Sequence, residues 1–214
     1  MRAPSTAPDT RSRIIDAASQ LFHRYGCAKT TVVDIAGSCR MSPANVYRFF
    51  PSKAAIIEAI CQMVLADLEA GLRAIATTDE PADQRIGRMI ERIIQFASDT
   101  YVDDRGAYDM VAVAVAESWE AAQQHVRTVT QLFTDVVASG IAAGLLPPQD
   151  PDRAGRCIAF AITGFWHPVA AAQCVDVPGL PAPQEVIDFI LAALNTGEMK
   201  VRIGAPSGNQ ASQR

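Results

Sequence analysis

Histidine is scarce in this chain. His23, His125 and His167 are the three in 214 residues, and none stands at metal-ligand spacing from another. The five cysteines, Cys27, Cys39, Cys61, Cys157 and Cys174, are an odd number with no C-x-x-C pair. That argues against a zinc ribbon or a disulfide framework and fits a reducing compartment. There is no glycine-rich phosphate loop and no nucleophile elbow. The acidic pair Asp103 and Asp104 reads as turn chemistry. An enzyme is therefore not expected, nor is a metal or a cofactor. No uninterrupted apolar run approaches the roughly 20 residues of a membrane span, so no membrane partner is expected. The first ten residues lack the apolar stretch of a secretory leader, and the expected location is cytoplasmic. Strand alternation and internal repeats are also missing.

What is present is helical periodicity and an uneven charge. Apolar residues make up 49% of the chain, ample for a core, and the formal net charge is −4. Residues 1–53 carry eight Lys/Arg against three Asp, a charge of +5, and the remainder stands at −9. A basic head on an acidic body concentrates attraction for phosphate at one end.

The spacing predicts an all-α protein in two parts. Residues 1–9 read as a flexible arm. A helix from Thr10 to about Tyr25 has Ile14, Ala18, Leu21, Phe22 and Tyr25 inward, and Gly26 stops it. Thr30 or Thr31 caps a short helix ending at Ser38, with Val32, Ile35 and Ala36 on its inner face. Ser42 caps another, with Pro43 at its first position, where a missing N–H is harmless. Val46, Phe49 and Phe50 are expected inward. A helix from Lys53 to about Ala76 follows, with Ile56, Ile60, Met63, Val64 and Leu68 inward. Lys53 at a helix start opposes the helix dipole and is explained by an anion docking there.

Further helices are expected from Pro81 to about Asp99, through Val111 and Val115, from Glu120 to Ala143 with Val126 inward, across Ala154–Ala172 with a bend near Pro168, and from Pro183 to Asn195. The division is 10–53 as DNA-binding head, 54–76 as connecting helix, 77–198 as regulatory and dimerisation body, and 199–214 as flexible tail.

The segment TTVVDIAGSCRMSPANVYRFFPSK, residues 30–53, reads as a helix-turn-helix. Ala44 lets a backbone approach a groove, Asn45 can read a base edge, and Tyr47 and Arg48 can reach phosphates or bases. Preceded by a helix and Gly26 and followed by a long helix, it resembles the DNA-binding domain of the TetR family over roughly residues 10–75. The resemblance implies that Thr31, Tyr47 and Lys53 hold phosphates and that Pro43, Ala44 and Asn45 touch bases; Ser42, at the cap, and Arg48, on the outward face, complete the expected DNA-binding residues. It also implies a homodimeric repressor bound to double-stranded DNA at a palindromic operator. Two positions depart from the family pattern. Arg40 stands where glycine is usual in the turn, and Val33 where a polar or basic residue is common.

The body holds a store of soft and aromatic residues, and family bodies often hold a small ligand. Met89, Ile93, Phe96, Tyr108, Trp119, Phe133 and Trp166 are the expected lining for a small hydrophobic one, with Glu117 and His167 beside the tryptophans. The last two helices are apolar on more than one face. One stripe (Cys157, Phe160, Ala161, Gly164, Phe165) and another (Ile158, Ile162) call for cover on both sides. Phe160, Ala161, Gly164, Phe165, Val186, Phe189 and Ile190 are the expected dimer interface. Two other readings stay open here: an activator or ligand-independent regulator, and a helical small-molecule-binding protein whose DNA head is vestigial.

Overall fold

A computed structural model describes residues 9–102, 110, 113, 120–166 and 178–197. Among the described residues every regular element is helical: α1 Thr10–Tyr25, α2 Val32–Ser38, α3 Pro43–Tyr47, α4 Lys53–Ala76, α5 Ala82–Ala97 running into a π-helical turn at Ser98–Val102, α6 Glu120–Ala142, α7 Pro151–Ala161, α8 Thr163–Trp166 and α9 Pro183–Thr196. The expected helix through Val111 and Val115, the bend near Pro168, and the two chain ends lie outside the described residues.

The helix ends follow from local chemistry. Thr31 caps α2 in a capping box: Asp34 N–H donates to the Thr31 hydroxyl at 3.2 Å, and the Asp34 carboxylate accepts from the Thr31 N–H at 2.8 Å. Ser42 and Ser52 accept from Asn45 N–H and Ala55 N–H at the starts of α3 and α4. Asp150 caps α7 ahead of Pro151. Gly26, at φ 84°, ends α1.

Two hydrophobic clusters share the long α4. The head cluster packs Ile14, Ala18 and Phe22 of α1, Val32, Ile35 and Ala36 of α2, Val46 and Phe50 around α3, and Ile56, Ile57, Ile60 and Cys61 of α4. Met110, from the chain between Val102 and Glu120, joins it. The body cluster takes Leu68 and Leu72 from the same helix and packs them with Ile86, Met89, Ile90 and Ile93 of α5. Val129, Phe133, Val136 and Val137 of α6, Ile158 of α7, Ile162 beyond it, and Ile187, Ile190 and Leu194 of α9 complete it.

Several inward assignments from periodicity need correction. Tyr25 and Met63 are about half exposed and Phe49 and Val126 are also exposed. Tyr25 is the last residue of α1, and Phe49 lies beyond the end of α3. Arg24 stacks over the Tyr25 ring at 5.2 Å, which gives that ring a partner at the surface. The helix expected from Ala154 begins at Pro151 and is already interrupted at Ile162, ahead of the bend expected near Pro168. There Ile162 is turned into the core, and the weak helix formers Thr163 and Gly164 follow.

The turn between α2 and α3 is a Schellman motif. Met41 N–H donates to Ala36 C=O at 2.9 Å and Arg40 N–H to Gly37 C=O at 3.0 Å. Arg40 takes the left-handed position at φ 54°, among the described residues the non-glycine with positive φ. A side chain there clashes with its own backbone by about 1–2 kcal/mol. Part of that is offset in Arg40→Gly by the larger entropy a glycine loses on folding. Arg40→Gly should therefore raise stability by about 0.5–1 kcal/mol in chemical denaturation. A loss of stability would show that the arginine side chain compensates for its own backbone.

Candidate nucleic-acid interface and body groove

The outward surface of the head is built on α2 and α3. Val46 and Phe50 are buried against α1 and α2, which turns the opposite side of α3 to solvent. Ser42, Ala44, Tyr47 and Arg48 are exposed there, and Pro43 and Asn45 are half-buried. Asn45 leans on Met41, its side-chain amide 3.7 Å from the Met41 sulfur. On α2, Thr31, Val33, Asp34 and Gly37 are exposed. Thr31 and the α3 residues Ala44 and Tyr47 are thus all solvent-exposed.

Two of the expected anion contacts already have internal partners. The Thr31 hydroxyl donates to the Asp34 carboxylate at 2.6 Å, so its one proton is committed. The same hydroxyl, followed by the Thr31 N–H, holds the exposed Asp34 carboxyl below its usual range. Lys53 is half-buried, and its ammonium donates to the Cys27 C=O at 2.7 Å and the Thr30 C=O at 3.1 Å. No sequence signal marks these partners, because both are backbone carbonyls. At the other end of α2, Arg13 donates to the Cys39 C=O at 3.1 Å. Cys39 is buried, and burial pushes its thiol up despite the nearby Arg13 charge.

Four of the expected lining residues, Met89, Ile93, Phe96 and Phe133, lie among the described side chains. Met89, Ile93 and Phe133 are closed into the body core, and Phe96 packs against its edge. Tyr108, Trp119 and the Trp166 side chain lie outside the described residues, as do Glu117 and His167. An open groove of about 350 Å³ lies instead between α4 and α6. Glu58, Gln62 and Glu69 face Glu120, Gln124 and His125 across it, over a floor including Leu65 and Ala121. None of Met89, Ile93, Phe96 and Phe133 lines it, and its polar walls depart from the hydrophobic lining expected. His125 is buried, with Nδ1 3.0 Å from a Glu69 carboxylate oxygen, while Arg73 holds the other oxygen at 3.2 Å. Burial pushes the His125 pKa down, against the opposing pull of Glu69. The ring is then neutral near pH 7 and donates Nδ1–H to the carboxylate.

The expected dimer residues divide in two. Phe160 is 82% and Phe189 72% exposed, and Ala161 and Gly164 are exposed beside them. Phe165 and Val186 are partly buried against the body cluster. Ile190 corrects the expectation, because it points into the protomer's own core with Ile187 and Leu194. No helix among the described residues is long and apolar enough to cross a membrane.

Residues 14–60 match the model for bacterial regulatory proteins of the tetR family, and residues 82–187 match the tetracyclin repressor-like C-terminal domain. The HTH-type transcriptional regulator UidR of Escherichia coli strain K12 is 34% identical over 97 residues, covering 44% of this chain and 46% of UidR. The chain therefore matches about half the length of that relative. A TetR/AcrR-family regulator from Thermobifida fusca superimposes with a TM-score of 0.64 at 23% identity, over 88% of this chain and 98% of that one. Thermus thermophilus FadR, a repressor solved in complex with lauroyl-CoA, gives 0.60 at 19% identity, over 92% and 100%. At those identities the structures establish a shared fold. With one sequence model on the head and another on the body, the chain belongs to the TetR family of bacterial regulatory proteins.

Proposed function

We propose that the chain is a homodimeric transcriptional repressor that holds a palindromic DNA operator and is released from it by a small ligand bound in the body. The observation that carries the DNA reading is the α3 surface. A small residue and an amide, Ala44 and Asn45, stand at its front with Tyr47 and Arg48 beside them, all backed by the buried Val46 and Phe50. In this reading Tyr47 and Arg48 anchor phosphates, Ser42 and Pro43 bring the start of α3 to the groove, and Ala44 and Asn45 meet base edges. Thr31 reaches a phosphate from the entrance of α2 once its hydroxyl turns from Asp34.

The exposed Phe160 and Phe189 support a second copy of the chain as partner. The matching fold of Thermus thermophilus FadR, solved with lauroyl-CoA, supports a body that takes a small ligand. The α4 helix, packed into both cores, supplies the route from body to head. A ligand that favours one α4 placement over another would shift the spacing of the two heads.

Selection of bound fragments from genomic DNA tests the reading. A palindromic consensus with half-sites about 34–36 Å apart is expected. Asn45→Ala should relax preference at one position per half-site by about 1–3 kcal/mol. No enrichment, with early elution from a DNA column at low salt, would make the head vestigial.

A further inference from the structure

Resting on the DNA-binding reading above, we propose that Arg13 is a positioning residue for base readout. From α1 it holds the turn between α2 and α3 and, through that turn, sets where Asn45 stands.

The tie runs in both directions. The Arg13 guanidinium donates to the Cys39 C=O at 3.1 Å, and the Cys39 thiol donates back to the Arg13 C=O at 3.5 Å. The two residues are 26 apart in sequence. Cys39 is the C-cap of α2 and 5% exposed, so its carbonyl belongs to the helix end that lacks intrahelical partners. A cation suits that end, because the carbonyls there form the negative pole of the helix.

The turn that follows is one that needs holding. Arg40, next in the chain, has a left-handed φ of 54°, a conformation that a side chain disfavours. After it, the Met41 N–H closes the turn on the Ala36 C=O at 2.9 Å. The Met41 sulfur accepts from the Asn45 side-chain amide at 3.7 Å. A continuous series of contacts thus leads from Arg13 through Cys39, Arg40 and Met41 to Asn45, the residue proposed to meet a base edge. An amide reads a base through hydrogen bonds of strict direction, so a small displacement of Met41 costs readout before it costs phosphate contacts. The far end of α3 has its own hold, because Arg11 lies over the Phe50 ring at 4.9 Å. Loss of Arg13 therefore frees the turn and leaves the rest of α3 seated on Val46 and Phe50. Arg13 is exposed, and the Cys39 bond uses one of its five N–H donors. A phosphate contact by the others is compatible with this role and would add a loss equal for all sequences.

The test compares wild type with Arg13→Met in two measurements. The first is affinity for three DNAs: the selected operator, the operator changed at the base pair whose preference Asn45→Ala relaxes, and random DNA of equal length. Discrimination against the changed base pair should fall about threefold or more, and the operator-to-random ratio with it. A lost phosphate contact, or a smaller folded fraction, lowers all three affinities together and leaves both ratios at wild-type values; that result overturns the proposal. The second is amide exchange of the DNA-free protein, where Arg40 and Met41 should exchange several-fold faster. Unchanged exchange there overturns the proposal as well. Arg13→Lys, which keeps the charge but not the guanidinium fork, is measured in the same way if the methionine variant does not fold, and the same ratios and exchange decide. If the wild-type chain selects no DNA, or Asn45→Ala relaxes no position, the readout assigned to α3 fails; the exchange comparison, made without DNA, is independent of that result.

Discussion

Phe160→Asp combined with Phe189→Asp should convert the protein to a monomer at micromolar concentration and remove most of its operator affinity. Each ring is largely exposed in the protomer, while the opposite sides of the same helices are filled by Ile158, Ile187, Ile190 and Leu194. The two Phe side chains are thus surplus to the protomer's own core. Burying one is worth about 1.5–3 kcal/mol. A two-fold contact buries four, or about 6–12 kcal/mol before the loss of free tumbling is subtracted. Ala161 and Gly164, exposed beside Phe160, let a partner helix approach closely. Once the protomers separate, each head binds its half-site alone, and the gain of about 10²–10⁴-fold from linked binding disappears. Sedimentation and operator titration on the same sample check both parts. A variant that remains a dimer with intact DNA binding would place the interface elsewhere.

Gly155→Val should be the most destabilising single change in the body. A Cβ at Gly155 would lie 2.9 Å from the Thr134 backbone nitrogen and 3.0 Å from the Thr130 carbonyl oxygen, and it would also press on the Thr134 hydroxyl. Two of these three atoms are backbone, so relief requires α6 and α7 to move apart. Overpacking of this kind costs typically about 1–3 kcal/mol, and the branched valine belongs at or above the upper end. Gly37, with nothing within 4 Å of its would-be Cβ, is the contrasting helical site. Gly37→Ala should be neutral or stabilising by up to about 1 kcal/mol. Urea unfolding of the full chain checks the pair, and similar midpoints for the two variants would show that α6 and α7 are not locked at this crossing.

The head was the legible part of the sequence, for reasons that stay local. Ser42 before Pro43, Thr31 before Asp34 and Gly26 after Tyr25 each fix a helix end through neighbours in the chain. The body was legible as helices but not as a site. Met89, Ile93 and Phe133 have the composition of a ligand lining, yet whether such residues meet a cavity or one another depends on how four helices pack. The groove between α4 and α6 was invisible for the same reason, since Glu69 and His125 are 56 residues apart. Apolar periodicity gave the inner stripe of each helix but not where each helix ends or what covers it, and Tyr25, Phe49, Met63 and Val126 are exposed. Arg40 is the opposite case: it stands where glycine is usual in the turn, and the chain keeps there the left-handed backbone that favours glycine.

The sharing of α4 between two cores makes it a lever. Leu68 sits in the body cluster, and Lys53, 15 residues earlier, adjoins the head. At 1.5 Å rise per residue that arm is about 22 Å long, so a tilt of about 5° about Leu68 carries its far end about 2 Å. In the proposed two-fold dimer the mirrored displacement would change the distance between heads by up to about 4 Å, more than a tenth of a helical repeat of DNA. In that proposed assembly, an event in the body too small to disturb its packing would be large enough, at the heads, to take both out of register with the groove.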